Sequence, residues 1–219
     1  MAMSGAASFP ITNLTAGTEV QIAEDGVLKP WIYLGQYTDG CCAVLRAECL
    51  PRGYNMRSVV DESVDYNGVE RDTWLTGTYR NVFGTNLISA LCSHEIPYYV
   101  WDGISLSVET ITRDVYLASF YEMGGNSSEG GTNFMPALET YKGVTGNAAR
   151  KTYYEGTETL AGVFLRSAHN LKNRFKFHNA SNGVLDYMQA TSPNGIRPML
   201  SLNASAPVTE TNDGYVVCL

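Results

Sequence analysis

At 219 residues, with 44% hydrophobic and 17% charged side chains, the chain has the composition of a globular protein able to bury an ordinary core. Its formal charge of −7, with no Lys/Arg cluster, excludes the basic face a nucleic-acid partner needs and gives no attraction to anionic lipid. No run approaches the roughly 20 apolar residues of a spanning helix, so membrane insertion is not expected.

The opening 1–13, MAMSGAASFPITN, has neither a basic n-region nor an apolar h-region and reads as a small-residue arm rather than a signal peptide. Alternation at Val20 and Ile22, the turn Glu24-Asp25-Gly26, and renewed alternation to Trp31 and Tyr33 predict a β-hairpin. CCAVLRAECL predicts a third, more buried strand, and the polar stretch 51–70 a long loop. Trp74, Leu75, Tyr79 and Phe83 fit one face of a short helix capped by Asp72 or Thr73. A second helix, capped by Thr85, carries Leu87, Ile88 and Leu91 and stops before Pro97; Gly77 and Gly84 argue against one long helix. RDVYLASFYEM reads as a strand or strand–helix junction, GGNSSEGGTNF as a loop, and 134–152 is ambiguous. LAGVFLRSAH, RFKFHNA, GVLDYMQA and GIRPMLSLNA then predict short strands, with Asn182-Gly183 as a hairpin turn. Without a repeat or linker, residues 14–219 read as one α+β domain of short antiparallel strands, two short helices and long loops.

Chemistry is sparse. The five cysteines are odd in number, include the adjacent pair Cys41 and Cys42, and form no CxxC, which predicts reduced, mostly buried thiols of a protein folded in a reducing cytoplasm. His169 and His178 lack a third ligand at metal spacing and read as exposed strand-end groups. Cys92 and His94 invite a pairing, but on a helix close neighbours point apart. No nucleophile elbow, phosphate loop or dinucleotide fingerprint appears, so neither catalysis nor a cofactor or metal is expected. What remains is aromatic and amide surface in the last third. Tyr153, Tyr154, His169, Asn170, Asn173, Arg174, His178, Asn179 and Tyr187 make up the candidate ligand face. Phe175 and Phe177 share the opposite, inward side of their strand from Arg174, Lys176 and His178.

The order of phrases WLTGTYRNVF, EIPYYV, DVYLASFYEMG, VFLRSAH and NGIRPMLSL resembles a family of phage and prophage proteins from Gram-positive and gut bacteria, over residues 14–205. The match departs at Gly162-Val163-Phe164, where the family has tryptophans, and at Ala168, where it has proline. The resemblance implies a C-type lectin-like fold, distantly related to formylglycine-generating enzyme. That enzyme's late cysteine pair has no counterpart here, since only Cys218 lies beyond residue 92. It further implies a non-catalytic virion protein assembled in the host cytoplasm and displayed at a tail or baseplate tip or on the head. Such a protein binds a host-surface glycan or protein, or instead decorates neighbouring subunits. Residues 1–13 are then an attachment peptide to other virion proteins, and a homo-oligomer is expected. On this reading Arg166, Gly195, Arg197 and Pro198 are a structural signature. The two arginines lie on adjacent strands and hold loop carbonyls, and Pro198 sits at an edge or bulge.

Overall fold

A computed structural model describes residues 7–61, 63–125 and 146–217. Asp25 and Gly26 both take positive φ, 48° and 78°. Such a pair matches the twist of flanking strands and closes a two-residue turn. It folds β2 (Glu19–Glu24) onto β3 (Val27–Gln36), and β4 (Cys42–Arg46), with all five residues buried, follows antiparallel.

These three strands are the middle of a sheet of eight. Its order runs β1 (Ser8–Pro10), β14 (Pro207–Thr211), β15 (Gly214–Val217), β2, β3, β4, β13 (Pro198–Leu202) and β7 (Val115–Leu117). The pairing of β15 with β2 is parallel; the other ladders of this sheet are antiparallel. Smaller sheets pair β5 (His94–Trp101) with β6 (Leu106–Arg113), β8 (Thr152–Tyr153) with β9 (Leu160–Ala161), and β10 (Val163–Ala168), β11 (Arg174–His178) and β12 (Leu185–Gln189) in that order. One continuous core joins the large sheet to β5 and β10, with Trp31, Tyr66, Tyr98, Tyr116, Phe164 and Phe175 fully enclosed.

The architecture corrects the α+β, lectin-like expectation. Among the described residues, strands and bridges take 44% and helices 13%. The helices α1 (Glu70–Thr76), α2 (Thr85–Ala90) and α3 (Gly146–Arg150) have seven, six and five residues, so none is long enough to form a layer. The strands that build the wide sheet come largely from the two ends of the chain. Helix starts also differ from expectation. Val69 and Gly84 occupy the cap positions and give no side-chain cap, while Asp72 sits inside α1, accepts the Gly68 N–H and pairs with Arg113. Thr85 is the first helical residue of α2.

The expectation of reduced thiols is corrected too. Cys41 and Cys92 form a disulfide, Cα atoms 5.8 Å apart, across 51 residues of sequence, while Cys42 and Cys49 are free and buried. Their spacing hid the pair because β4 and the segment after α2 meet only in three dimensions. The arm is partly held by its own domain: Ser8–Pro10 pairs with β14 and Ile11 is fully buried. Residues 1–6, and most of the glycine-rich loop at 124–135, lie outside the described residues. Among the described residues no helix is long and apolar enough to cross a membrane.

Candidate functional site

The candidate ligand face divides on folding. Arg174 and Tyr187 stand on neighbouring strands of the β10–β11–β12 sheet, and β12, at its edge, leaves Asp186 and Tyr187 exposed. The Arg174 guanidinium lies 4.8 Å from the Tyr187 ring centre, and the His169 ring lies 4.0 Å from it on a tilted approach. A cation over an aromatic face is attracted by the ring quadrupole, so the three groups hold one another as a platform. Exposed Leu171 and Val184 add apolar surface to the connections on either side of β11. Asn170 is exposed as expected, and Asn179 is a turn-builder whose side-chain oxygen accepts from the Ser181 N–H and hydroxyl. Tyr153 is exposed on β8, in a different sheet, and half-buried Tyr154 bridges to Cys49.

Asn173 and His178 do not belong to an exposed face, which corrects the sequence reading. Asn173 is buried at a positive φ of 56° and accepts from the Arg57 Nε. His178 has no exposed surface, because β11 ends against β10 and its last residue turns inward beside Arg197. Neither of its ring nitrogens finds a hydrogen-bond partner among the described residues. Burial, with the Arg197 and Arg150 charges nearby, pushes its pKa down to about 3. The imidazole therefore stays neutral in the folded state while the unfolded chain takes up a proton near pH 6.5. Unfolding binds more protons anywhere between those values, so stability is full above about pH 6.5 and falls as pH drops. Against His178→Phe, wild type should lose about 2 kcal/mol more between pH 7.5 and pH 5, measured by urea unfolding. Parallel pH profiles for the two proteins would refute it.

The signature arginines are structural hubs of unequal weight. Arg166 is fully enclosed; its Nε donates to the Pro97 carbonyl at 3.0 Å and its Nη1 to the Leu117 carbonyl at 2.7 Å. Nη1 also meets Glu122 Oε2 at 2.6 Å. Arg197 Nε donates to the Arg46 carbonyl at 2.6 Å. These carbonyls belong to strands β5, β7 and β4, so the clamp grips strands rather than a long loop. Nor do the arginines share a ladder: the isolated Val163–Gly195 bridge joins β10 to the chain before β13. Pro198 opens β13, a central strand, at the first position, where a missing N–H is tolerated.

Glu122 is the partner that sequence reading missed. Its signal was present as Ser119-Phe120-Tyr121-Glu122, a capping-box spacing. Ser119 Oγ accepts the Glu122 N–H at 3.0 Å, and Glu122 Oε2 accepts the Ser119 N–H at 2.6 Å. Burial works to raise the Glu122 pKa, but the Arg166 charge and these hydrogen bonds outweigh it and hold the carboxyl below its usual range. From Glu122 a chain of hydroxyls leads outward. Tyr37 Oη donates to Glu122 Oε1, Tyr37 Oη and Tyr116 Oη are 3.2 Å apart, and Tyr116 Oη meets His94 Nε2 at 3.2 Å. Beyond His94 lie Asp39 and Cys41; potential ligand atoms of these three residues fall within 4.8 Å of one another.

Residues 39–204, which contain the β11–β12 platform and all of this polar chain except Tyr37, match the family model of a domain of unknown function, DUF6273. The chain belongs to the DUF6273 family. No curated protein and no solved structure matches it. The matched span supplies only β4, β7 and β13 to the large sheet of this DUF6273 protein; the other five strands flank it on both sides.

Proposed function

We propose that this DUF6273 protein is a non-catalytic recognition module, carried on a phage particle, that binds a glycan of the host surface. The observation that carries the reading is the Tyr187–His169–Arg174 platform at the sheet edge, with Tyr187 exposed and His169 and Arg174 half-buried against it. Aromatic faces take the apolar side of a sugar ring, and a guanidinium beside them can pair with an acidic substituent. The groups best suited to chemistry support the same reading by their position: Glu122, Arg166, His178 and Cys49 are enclosed in the core, and burial pushes the Cys49 thiol up to about 12. The placement on a virion rests on the order of short phrases shared with phage and prophage proteins.

Purified protein should bind intact host cells and isolated cell-wall glycans saturably. Tyr187→Ala and Arg174→Ala, both at exposed or half-exposed positions, should each weaken binding about tenfold or more while leaving the fold intact. If wild type does not bind, and deletion of residues 1–6, which leaves β1 and the buried Ile11 in place, instead abolishes incorporation into particles, the chain is a structural decoration protein.

A further inference from the structure

One sulfur of the disulfide, that of Cys41, lies within 4.8 Å of donor atoms of two further residues, Asp39 and His94. The chain leaves α2 and becomes extended before His94, the first residue of β5. That geometry brings the His94 imidazole beside the sulfur of Cys41, the residue disulfide-bonded to Cys92. Asp39 precedes Gly40, whose φ of 93° turns the chain back, and Asp39 Oδ1 accepts the Cys41 N–H at 3.0 Å. Its second oxygen, Oδ2, is thereby held 3.0 Å from His94 Nδ1.

His94 is buried. Its side chain is 2% exposed, and Nδ1 makes no aligned hydrogen bond, although Asp39 Oδ2 stands within contact distance. These two atoms and the Cys41 sulfur all lie within 4.8 Å of one another. The other ring nitrogen, Nε2, meets Tyr116 Oη, and the ring stacks on Tyr37 with centres 4.8 Å apart. A metal-binding histidine is ordinarily fixed in this way, through the nitrogen that does not ligate.

We propose that Cys41, Cys92, His94 and Asp39 are a redox-gated site for a borderline-soft divalent cation, with Zn²⁺ the best match. Two sulfurs, one imidazole nitrogen and one carboxylate oxygen suit tetrahedral zinc and suit calcium or magnesium poorly. In the disulfide form the sulfurs are bonded to each other and the site is closed to metal. A dithiol reductant opens it: the Cys41–Cys92 bond breaks, the reductant becomes a disulfide, and its two protons pass to the two cysteine sulfurs. Zn²⁺ then displaces those two protons and binds both thiolates. With Zn–S bonds of about 2.3 Å the sulfurs move to about 3.8 Å apart, a side-chain rotation for residues whose Cα atoms are 5.8 Å apart. Access is from the surface, since Asp39 is exposed and Cys92 half-buried.

The test uses the full chain, oxidised or reduced by a dithiol and desalted without air, titrated with Co²⁺ and then with Zn²⁺ against a chromophoric chelator. Reduced protein should take up one ion per chain, with thiolate charge-transfer and intense visible bands of tetrahedral Co²⁺, and oxidised protein should show neither. Cys41→Ser should abolish the bands. Asp39→Asn, at an exposed position that leaves folding unaffected, should weaken Zn²⁺ binding at least about tenfold, and Tyr116→Phe about tenfold. His94→Asn should weaken it further and shift the Co²⁺ bands. The proposal is overturned if reduced, folded protein takes up no stoichiometric ion. It is equally overturned if uptake survives Cys41→Ser, or if Asp39→Asn and His94→Asn leave affinity and spectrum unchanged.

Discussion

Glu122→Gln is expected to destabilise the protein by about 3–5 kcal/mol, a large part of the roughly 5–15 kcal/mol that holds a domain of this kind together. The substitution keeps the side chain's shape and removes its charge, leaving Arg166 as a cation with no exposed surface and no counter-charge. Two of the guanidinium's hydrogen bonds, to the Pro97 and Leu117 carbonyls, persist, and they cannot supply the missing charge. The same loss frees the Tyr37 hydroxyl and the Ser119 N–H from a charged acceptor. Arg166→Met alone should be similarly damaging, because it strands the carboxylate. The double variant Glu122→Gln/Arg166→Met should recover much of the stability, since a buried pair replaced on both sides often costs little. Urea unfolding of the four proteins checks this. Additive losses in the double variant would show that the pair is not coupled.

Gly195→Ala is expected to cost about 3 kcal/mol or more, at or beyond the upper end for inserting a single methyl into a packed interior. A Cβ there would stand 2.6 Å from the Gly162 carbonyl oxygen, 2.9 Å from the Cys49 sulfur and 3.2 Å from the Ala161 Cβ. Backbone cannot step aside without breaking the close pairing in which Gly195 donates to Gly162 and accepts from Phe164. That pairing joins the segment before β13 to the start of β10. Gly53 is a matched control, because it also faces the Asn194 backbone but its nearest neighbours are 3.4 Å away. Gly53→Ala should change stability by no more than about 1 kcal/mol, and in the stabilising direction. Equal melting temperatures for Gly195→Ala and wild type would contradict the close-packing account.

Local features were readable from residues alone. Asp25-Gly26 announced the first hairpin, the unbroken apolar run at 42–46 announced a buried strand, and Arg197-Pro198 marked a position where side chain and backbone serve different masters. Long-range placement was not readable. Nothing in Gly214–Val217 indicates that it lies parallel to Glu19–Glu24, and nothing in Pro198–Leu202 indicates that it divides Cys42–Arg46 from Val115–Leu117. Periodicity reports which face of a segment is buried and is silent on its neighbour. His178 illustrates the limit: alternation set it on the polar side of β11, and the end of the strand turned it into the core. On a helix Cys92 and His94 would point apart, whereas the extended chain leading into β5 places residues two apart on the same side.

The pairing of β15 with β2 has a consequence for biosynthesis. The amino-terminal hairpin leaves the ribosome early, yet its outer edge is completed by residues 214–217, made almost 200 residues later. β1 likewise waits for β14, and β4 waits for β13. The nascent chain must therefore carry unpaired, apolar strand edges until residues 198–217 emerge, a state in which chaperone holding competes with aggregation. The wide sheet can close only after residues 198–217 have been made and paired with the early strands.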